Sequence, residues 1–366
     1  MPTLLAGDIG GTKTLLATYA VREGQLVQQR SARYASAAWG DFSAMVRHFL
    51  AEGAGAGGGA GEGAGEGGGQ SDGDRPRQAC FAVAGPVQNG QVQLTNLTWH
   101  LEAGALAKAC DLEAVELVND FAVLIHGLPH LSAEQQQPLR RNASPPTAST
   151  AIHGPVAVLG AGTGLGVAIG VPGPRGPIAL ASEAAHAAFA PREEQEWRLR
   201  QWLLNELELE RVSIERVVSG TGLGHVARWM LRERDPGGSH PLHAPAEAWW
   251  LAERQGEAER PDLPALVAQA AQAGDALAAA ALELWLGAYG SVAGDLALQT
   301  LCSGGLWVGG GTAAKLLAQL RSPAFLAAFG AKGRLSPVLK TIPLRALVDP
   351  AAGLFSAACR ARTLMG

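Results

Sequence analysis

A two-domain α/β protein is what the sequence predicts, and three observations carry the prediction. The chain has 366 residues, beyond the length at which one hydrophobic core usually stops growing. Short apolar runs of strand character alternate with segments of helical spacing along most of it. The opening pattern of a strand, a Gly/Thr turn and a returning strand comes back at residues 156–170, as two similarly built halves would give.

Residues 3–6, 15–20 and 26–33 read as strands separated by glycine turns at Gly10-Gly11 and Glu23-Gly24. Residues 41–50 carry Phe42, Met45, Val46 and Phe49 at helical spacing behind Asp41, a helix-start residue. Residues 52–74 are almost wholly Gly, Ala and Glu, too poor in apolar area to fold, and predict a flexible surface loop. The sheet restarts at residues 79–84, which end in Gly85-Pro86, and continues at 91–96. A helix over 103–109 and a strand ending at Val118 complete the first domain. Residues 129–155, rich in Pro, Ser and Gln, read as the connection to the second. Helices follow at roughly 192–209, 219–234, 244–256 and 275–301. A strand at 306–308 enters Gly309-Gly310-Gly311-Thr312, and a last strand at 341–348 precedes a terminal helix at 351–363.

Net charge is -4 and no segment gathers Lys or Arg, which argues against nucleic acid or an anionic membrane as partner. The four cysteines, Cys80, Cys110, Cys302 and Cys359, are far apart with no CxxC spacing and read as reduced, buried thiols. Met1-Pro2-Thr3 leads straight into a strand without the features of a secretory signal, so a cytoplasmic protein is expected. The longest apolar stretch, 276–301, is interrupted by Glu283, Asp295 and Gln299 and predicts a core helix rather than a membrane span.

The stretch with most chemical promise is Glu116-Leu117-Val118-Asn119-Asp120-Phe121, a buried strand ending in an amide and a carboxylate. In open α/β sheets ligands bind beyond the carboxyl ends of the strands; a carboxylate there is placed for chemistry, or else it caps the next helix. On either side of it in sequence lie two glycine-threonine loops, Gly7-Asp8-Ile9-Gly10-Gly11-Thr12-Lys13-Thr14 and Gly160-Ala161-Gly162-Thr163-Gly164-Leu165-Gly166. Unpaired N–H groups in such turns hold anions, and glycines let phosphate oxygens come close. Neither loop is a Walker A or GxGxxG motif. With Gly309-Gly310-Gly311-Thr312 they point to a divided nucleotide site, two turns for phosphates and the third for the nucleoside end. Asp8 suits Mg²⁺ held through water, or caps its turn. Ser182-Glu183-Ala184-Ala185-His186 and Glu215 offer donors and acceptors in pairs, as fixing vicinal hydroxyls of a sugar requires. A zinc site at Glu183 and His186 lacks a third ligand at suitable spacing.

These residues bring the chain to a known pattern. It resembles bacterial glucokinases of the hexokinase/actin-like ATPase superfamily. The matching segments are Gly7 to Lys13, Ala84-Gly85-Pro86-Val87, Leu94-Thr95-Asn96-Leu97-Thr98-Trp99, Val118-Asn119-Asp120-Phe121, Gly160 to Gly166, Ser182 to Pro191, Val218-Ser219-Gly220-Thr221-Gly222-Leu223 and Lys332-Gly333-Arg334, in family order. The resemblance implies a two-domain actin-like ATPase (ribonuclease H-like) fold with an interdomain cleft. Its small domain would be residues 1–130 with 346–366, its large domain 131–345. It implies D-glucose contacts at Asn96, Asn119, Asp120, Glu183, His186 and Glu215, with Asp120 as catalytic base. ATP contacts are implied at Asp8, Gly10, Gly11, Thr12, Lys13, Gly162, Thr163, Gly164, Gly310 and Gly311, with Mg²⁺ at Asp8 through water, and a homodimer. The family usually has two glycines where Ala184-Ala185 stand, an aspartate at Ala188 and a proline at Thr221. A repressor-type sugar kinase would show a cysteine-rich zinc motif after the histidine, and none follows His186. The activity implied is ATP-dependent phosphorylation of glucose. The alternatives are a kinase for another hexose and a non-catalytic sugar sensor on the same scaffold.

Overall fold

The structure is a computed structural model that describes residues 1–55, 75–94, 97–140, 153–256 and 260–365. Asn96 and residues 56–74 of the glycine-rich stretch, where a flexible loop is expected, lie outside the described residues.

The chain opens with strands β1 (Thr3–Ile9), β2 (Lys13–Arg22) and β3 (Gln25–Ala35) and continues into helix α1 (Phe42–Gly55). Residues 52–55, expected in the loop, are thus the end of a helix. Next come β4 (Gln78–Val83), a small hairpin of β5 (Gln91–Gln93) and β6 (His100–Glu102), α2 (Ala103–Cys110), β7 (Ala114–Asn119) and α3 (Ala122–Gly127). The first sheet is ordered β3–β2–β1–β4–β7, with β1 antiparallel to β2 and parallel to β4, and β4 parallel to β7. Central strands β1 and β4 are buried on both faces, as near-continuous apolar runs in parallel pairing must be. Phe42, Phe49, Phe81 and Trp99 fill one side of this sheet. On the other side lies the terminal helix α12 (Ala352–Arg362), whose Leu354, Ala357, Ala358 and Ala361 pack with Leu4, Ala6 and Val123. Arg360 of α12 makes a two-pronged ion pair with Glu116 of β7 (2.7 and 2.9 Å).

The second half holds β8 (Gln136–Pro138), β9 (Val156–Ala161), β10 (Leu165–Val171), β11 (Ile178–Ser182), α4 (Glu194–Glu206), α5 (Gly220–Arg234), α6 (His243–Gln255), α7 (Leu263–Gln272), α8 (Ala276–Thr300), β12 (Gly305–Gly309), α9 (Leu317–Leu320), α10 (Pro323–Gly330), α11 (Ser336–Thr341) and β13 (Leu344–Leu347). Its sheet is ordered β11–β10–β9–β12–β13–β8. Counting strands from β9, the order third, second, first, fourth, fifth is that of the first sheet, so the echo in the sequence is an echo in topology. Helix α8 is a core helix: Trp285 and Tyr289 are fully buried in it. By length and composition alone it could cross a membrane, yet most of its apolar stretch is packed inside this half.

The chain divides into two compact units, Met1–Ser132 with Gly170–Ala181 and Asp349–Gly366, and Ala133–Ile169 with Ser182–Val348. Three expectations are corrected. The connection at 129–155 contributes β8, an edge strand whose Gln136 is buried because its Oε1 accepts from Trp307 Nε1 (2.9 Å). Helix α7 was not foreseen; Asp262 caps it by accepting from Ala265 N (3.2 Å). The last strand is only Leu344–Leu347, because Ser336–Thr341 form α11. All four cysteines are buried and unpaired.

Candidate active site

In the first unit the turn between β1 and β2 is closed by Gly10 N donating to Lys13 O (2.9 Å) and held from outside by Ser36, whose hydroxyl donates to Gly10 O (2.9 Å). A Cβ on Gly10 would stand 3.1 Å from Lys13 O, so the tight turn favours glycine. The N–H groups of Gly11 and Thr12 have no partner among the described residues, the condition for an anion-holding turn. Asp8 lies on β1 at the foot of this turn, against α12, where a Cβ on Gly353 would be 3.2 Å from its carboxylate. Burial pushes the Asp8 carboxyl above its usual range, and Lys13 partly offsets this.

Asn119 ends β7, and Asp120 follows it. Asp120 N donates to Val83 O (2.9 Å), extending the β4–β7 pairing by one residue. Asn119 Oδ1 accepts from the N–H groups of Phe121 and Ala122 (3.0 Å each), and its Nδ2 donates to Gly85 O (3.2 Å). Asn119 thus takes up two N–H groups where the chain enters α3, whose N-cap position, Phe121, carries no side-chain cap bond. The Asp120 carboxylate is half-buried and accepts from Phe121 N (3.0 Å).

In the second unit the turn between β9 and β10 is closed by Gly162 N donating to Gly164 O (2.8 Å). Gly160 cannot be enlarged, since a Cβ would lie 2.5 Å from the Gly309 carbonyl carbon; this close approach brings the Gly309-Gly310-Gly311-Thr312 loop beside the first. Thr312 Oγ1 donates to Ala161 O (2.8 Å). Tyr289 Oη accepts from Ala161 N (3.1 Å), so both polar groups of Ala161 are fixed. These loops and the start of α5 open on a cavity of about 400 Å³, within the size range of small-molecule sites. Its far wall is apolar, with Trp249, Pro264 and Leu316, while Arg260, Asp262 and Lys315 bring charge. Sequence reasoning did not single out these last three; Lys315 follows the third glycine loop by three residues, which was the available signal.

The same unit brings together Glu183, His186 and Glu215. The chain after His186 pairs with the chain before Glu215 through Ile214 N to Ala187 O (2.8 Å), Phe189 N to Val212 O (2.9 Å) and the bridge between Ala188 and Ser213. Two short 3₁₀ turns, Ala184–His186 and Ile214–Arg216, thereby lie side by side. His186 Nε2 is 3.6 Å from Glu183 Oε2, both side chains more than half exposed. Glu215 turns to the glycine loop, accepting from Leu165 N through Oε2 (2.8 Å). Neither Ala184 nor Ala185 has a positive φ, so alanine is unstrained where the resembled family has glycines. The Ala188 methyl borders a cavity of about 200 Å³ shared with Arg192, Ser291 and Asp295.

Among the described residues no group of three or more His, Cys, Asp or Glu could hold a metal ion. Among the described residues, then, there is no built cage for an ion. Mg²⁺ is different, because it keeps most of its water and takes one or two carboxylates plus substrate phosphates, and the single carboxylate of Asp8 fits that mode.

Comparison with known proteins places the family and the fold. The glucokinase family model matches residues 5–364. A glucokinase of Synechocystis sp. is 40% identical, with 98% of each chain covered, and one of Nostoc sp. is 37% identical over 99% of this chain and 100% of that one. Among solved structures, a glucokinase from an Antarctic psychrotroph superposes with a TM-score of 0.76 at 27% identity, covering 99% of both chains. A glucokinase from Balamuthia mandrillaris, solved in complex with glucose, has a TM-score of 0.71 at 20% identity over 99% of this chain and 94% of that one; it bears on the fold alone. The fold is the two-domain actin-like ATPase fold of sugar kinases, and the chain belongs to the glucokinase family.

Proposed function

We propose that this chain transfers the γ-phosphoryl group of ATP to the 6-hydroxyl of D-glucose, giving glucose 6-phosphate and ADP. The observation that carries the reading is Asp120: a half-buried carboxylate at the carboxyl end of β7, directly after an asparagine whose side chain accepts from the N–H groups of Phe121 and Ala122. In this reading Asp120 accepts the proton of the 6-hydroxyl as that oxygen attacks the γ-phosphorus in line. Asn119, Glu183, His186 and Glu215 hold the sugar hydroxyls, with Asn96 a further candidate. The Gly10-Gly11-Thr12 and Gly162-Thr163-Gly164 turns, with Lys13, receive phosphate oxygens through the N–H groups of Gly11, Thr12, Thr163 and Gly164, which have no partner among the described residues, and Gly310-Gly311 border the nucleoside end. When bound, Mg²⁺ would neutralise charge on the phosphates, and Asp8 would hold it through water. Positioning and electrostatics supply most of the rate in such a transfer.

Three finer points belong to the same proposal. The protein acts in the cytoplasm, a reading supported by its widely spaced cysteines without CxxC pairing, and as a homodimer, as the family resemblance implies. It lies outside the repressor-type sugar kinases, a placement supported by the absence of a cysteine cluster after His186. It prefers glucose among hexoses, although the cavity beside Ala188 sits next to the sugar-holding turn and makes another hexose the leading alternative. One experiment tests the whole: ADP release followed by a coupled assay over a panel of hexoses, with ATP, ADP and polyphosphate as donors. Glucose with ATP as the best pair supports the reading. Turnover of another hexose far above glucose, or none with any sugar, overturns it.

A further inference from the structure

The structure assigns to Thr221 a role in positioning the loop that receives the donor phosphates. The inference rests on the reading of Gly162-Thr163-Gly164 as that loop, and it concerns a residue outside every set of binding residues considered so far. Thr221 Oγ1 donates to Thr163 O (3.0 Å) across 58 residues of sequence, and its backbone N–H points at the same carbonyl (3.5 Å). The preceding Gly220 N donates to Gly162 O (2.8 Å). A Cβ on Gly220 would lie 2.7 Å from that carbonyl, so the approach of α5 to the loop is already as close as backbone allows. The start of α5 is itself rigid. Ser219 Oγ accepts from Gly222 N (2.8 Å) and donates to Glu215 O (2.7 Å), and Ser219 O accepts from Trp285 Nε1 (3.0 Å).

The consequence is directional. The carbonyls of Gly162 and Thr163 are drawn toward α5, while the N–H groups of Thr163 and Gly164 have no partner among the described residues. A peptide group held by its oxygen turns its N–H the opposite way, which here leaves two adjacent donors for an anion. Thr163, Gly220 and Thr221 all line the cavity of about 400 Å³. The resembled family usually has proline at this position. Proline lacks both the hydroxyl and the N–H, so this chain ties its loop with a bond that the common residue cannot make.

The test separates positioning from folding. Thr221→Val keeps the shape and removes only the hydroxyl; Thr221→Ser restores it. Loss of one neutral hydrogen bond is typically worth a few-fold to about tenfold in binding. The expected result is a KM for ATP raised about three- to tenfold in Thr221→Val, with KM for glucose and the melting temperature close to the parent and Thr221→Ser near the parent throughout. Direct titration with a fluorescent ATP analogue should give the same ratio of dissociation constants, and it reads the loop even if glucose is not the acceptor. An unchanged affinity for the analogue in a folded Thr221→Val protein overturns the assignment, as does an equal loss for ATP and glucose. Absence of glucose phosphorylation by the parent, with tight analogue binding that Thr221→Val weakens, would instead sink the proposed acceptor and leave the latch standing.

Discussion

Gly164→Ala is the substitution whose effect can be worked most fully from the geometry. A Cβ at this position would lie 2.5 Å from Glu215 Oε2 and 3.2 Å from Glu215 Cδ. The backbone itself tolerates the change, because Gly164 does not have a positive φ. What must yield is the end of a flexible side chain, and in moving it gives up the 2.8 Å bond from Leu165 N. A hydrogen bond to a charged group contributes about 1.5–3 kcal/mol, equivalent to roughly 10- to 100-fold in an equilibrium constant. The displaced carboxylate returns to solvent, so the folded state should lose only about 1 kcal/mol. If Glu215 holds a sugar hydroxyl, KM for glucose in a coupled assay should rise roughly 10- to 100-fold, with a smaller change for ATP. Gly162→Ala is the matched control. Nothing lies within 4 Å of a Cβ there, so it enters only the open space that the proposed function gives to phosphate, and on that proposal it should raise KM for ATP while sparing glucose. An unchanged KM for glucose in a folded Gly164→Ala protein would refute the role given to Glu215 and the link between the loop and the sugar.

Further predictions concern the scaffold. Gly160→Ala places a methyl against the backbone of Gly309 and Gly310, which cannot move aside, and should lower the melting temperature far more than Gly162→Ala in a thermal scan. Arg360→Met breaks a two-pronged pair whose side chains are about one-third exposed (30% and 32%). It should cost about 1–2 kcal/mol in urea unfolding, a figure reduced for solvent screening, and Glu116→Gln in the same background should add little. Burial lowers the pKa of both His126 and His225 to about 4. A histidine whose folded pKa is depressed contributes stability that is present above its unfolded pKa near 6.5 and is lost as pH falls toward 4. Urea midpoints should therefore drop between pH 6.5 and 4. His225→Gln should flatten part of that drop, and an identical slope in the variant would remove His225 as a cause.

Much of this was legible in the sequence where a local pattern has a single cheap solution. The strand, glycine turn and returning strand at both loops were read correctly because a tight turn demands glycine wherever the sequence alternates around it. The long helix α8 was read because charges at Glu283 and Asp295 spoil a membrane span and leave a core. Helix α7 was hidden by Pro261 and Pro264, which look like breakers, although Pro264 sits in the first turn where its missing N–H costs nothing. Strand β8 was hidden because Gln136-Gln137-Pro138 has no apolar signal; its place is fixed by pairing with β13 and by the distant Trp307 indole. In the site, the motif residues could be named from sequence but their partners could not. The Thr221 bond to Thr163 and the Leu165 bond to Glu215 join residues 58 and 50 positions apart, and spacing along the chain carries no trace of them.

Asp120→Ala is the most direct measurement of the central claim. With glucose and ATP saturating, the account predicts that turnover falls by at least the roughly 10²- to 10⁴-fold typical of a general base, while affinity for a fluorescent ATP analogue changes little. Turnover within about twofold of the parent, in a protein that remains folded, would contradict the assignment of Asp120 as the base and with it the mechanism proposed for the site.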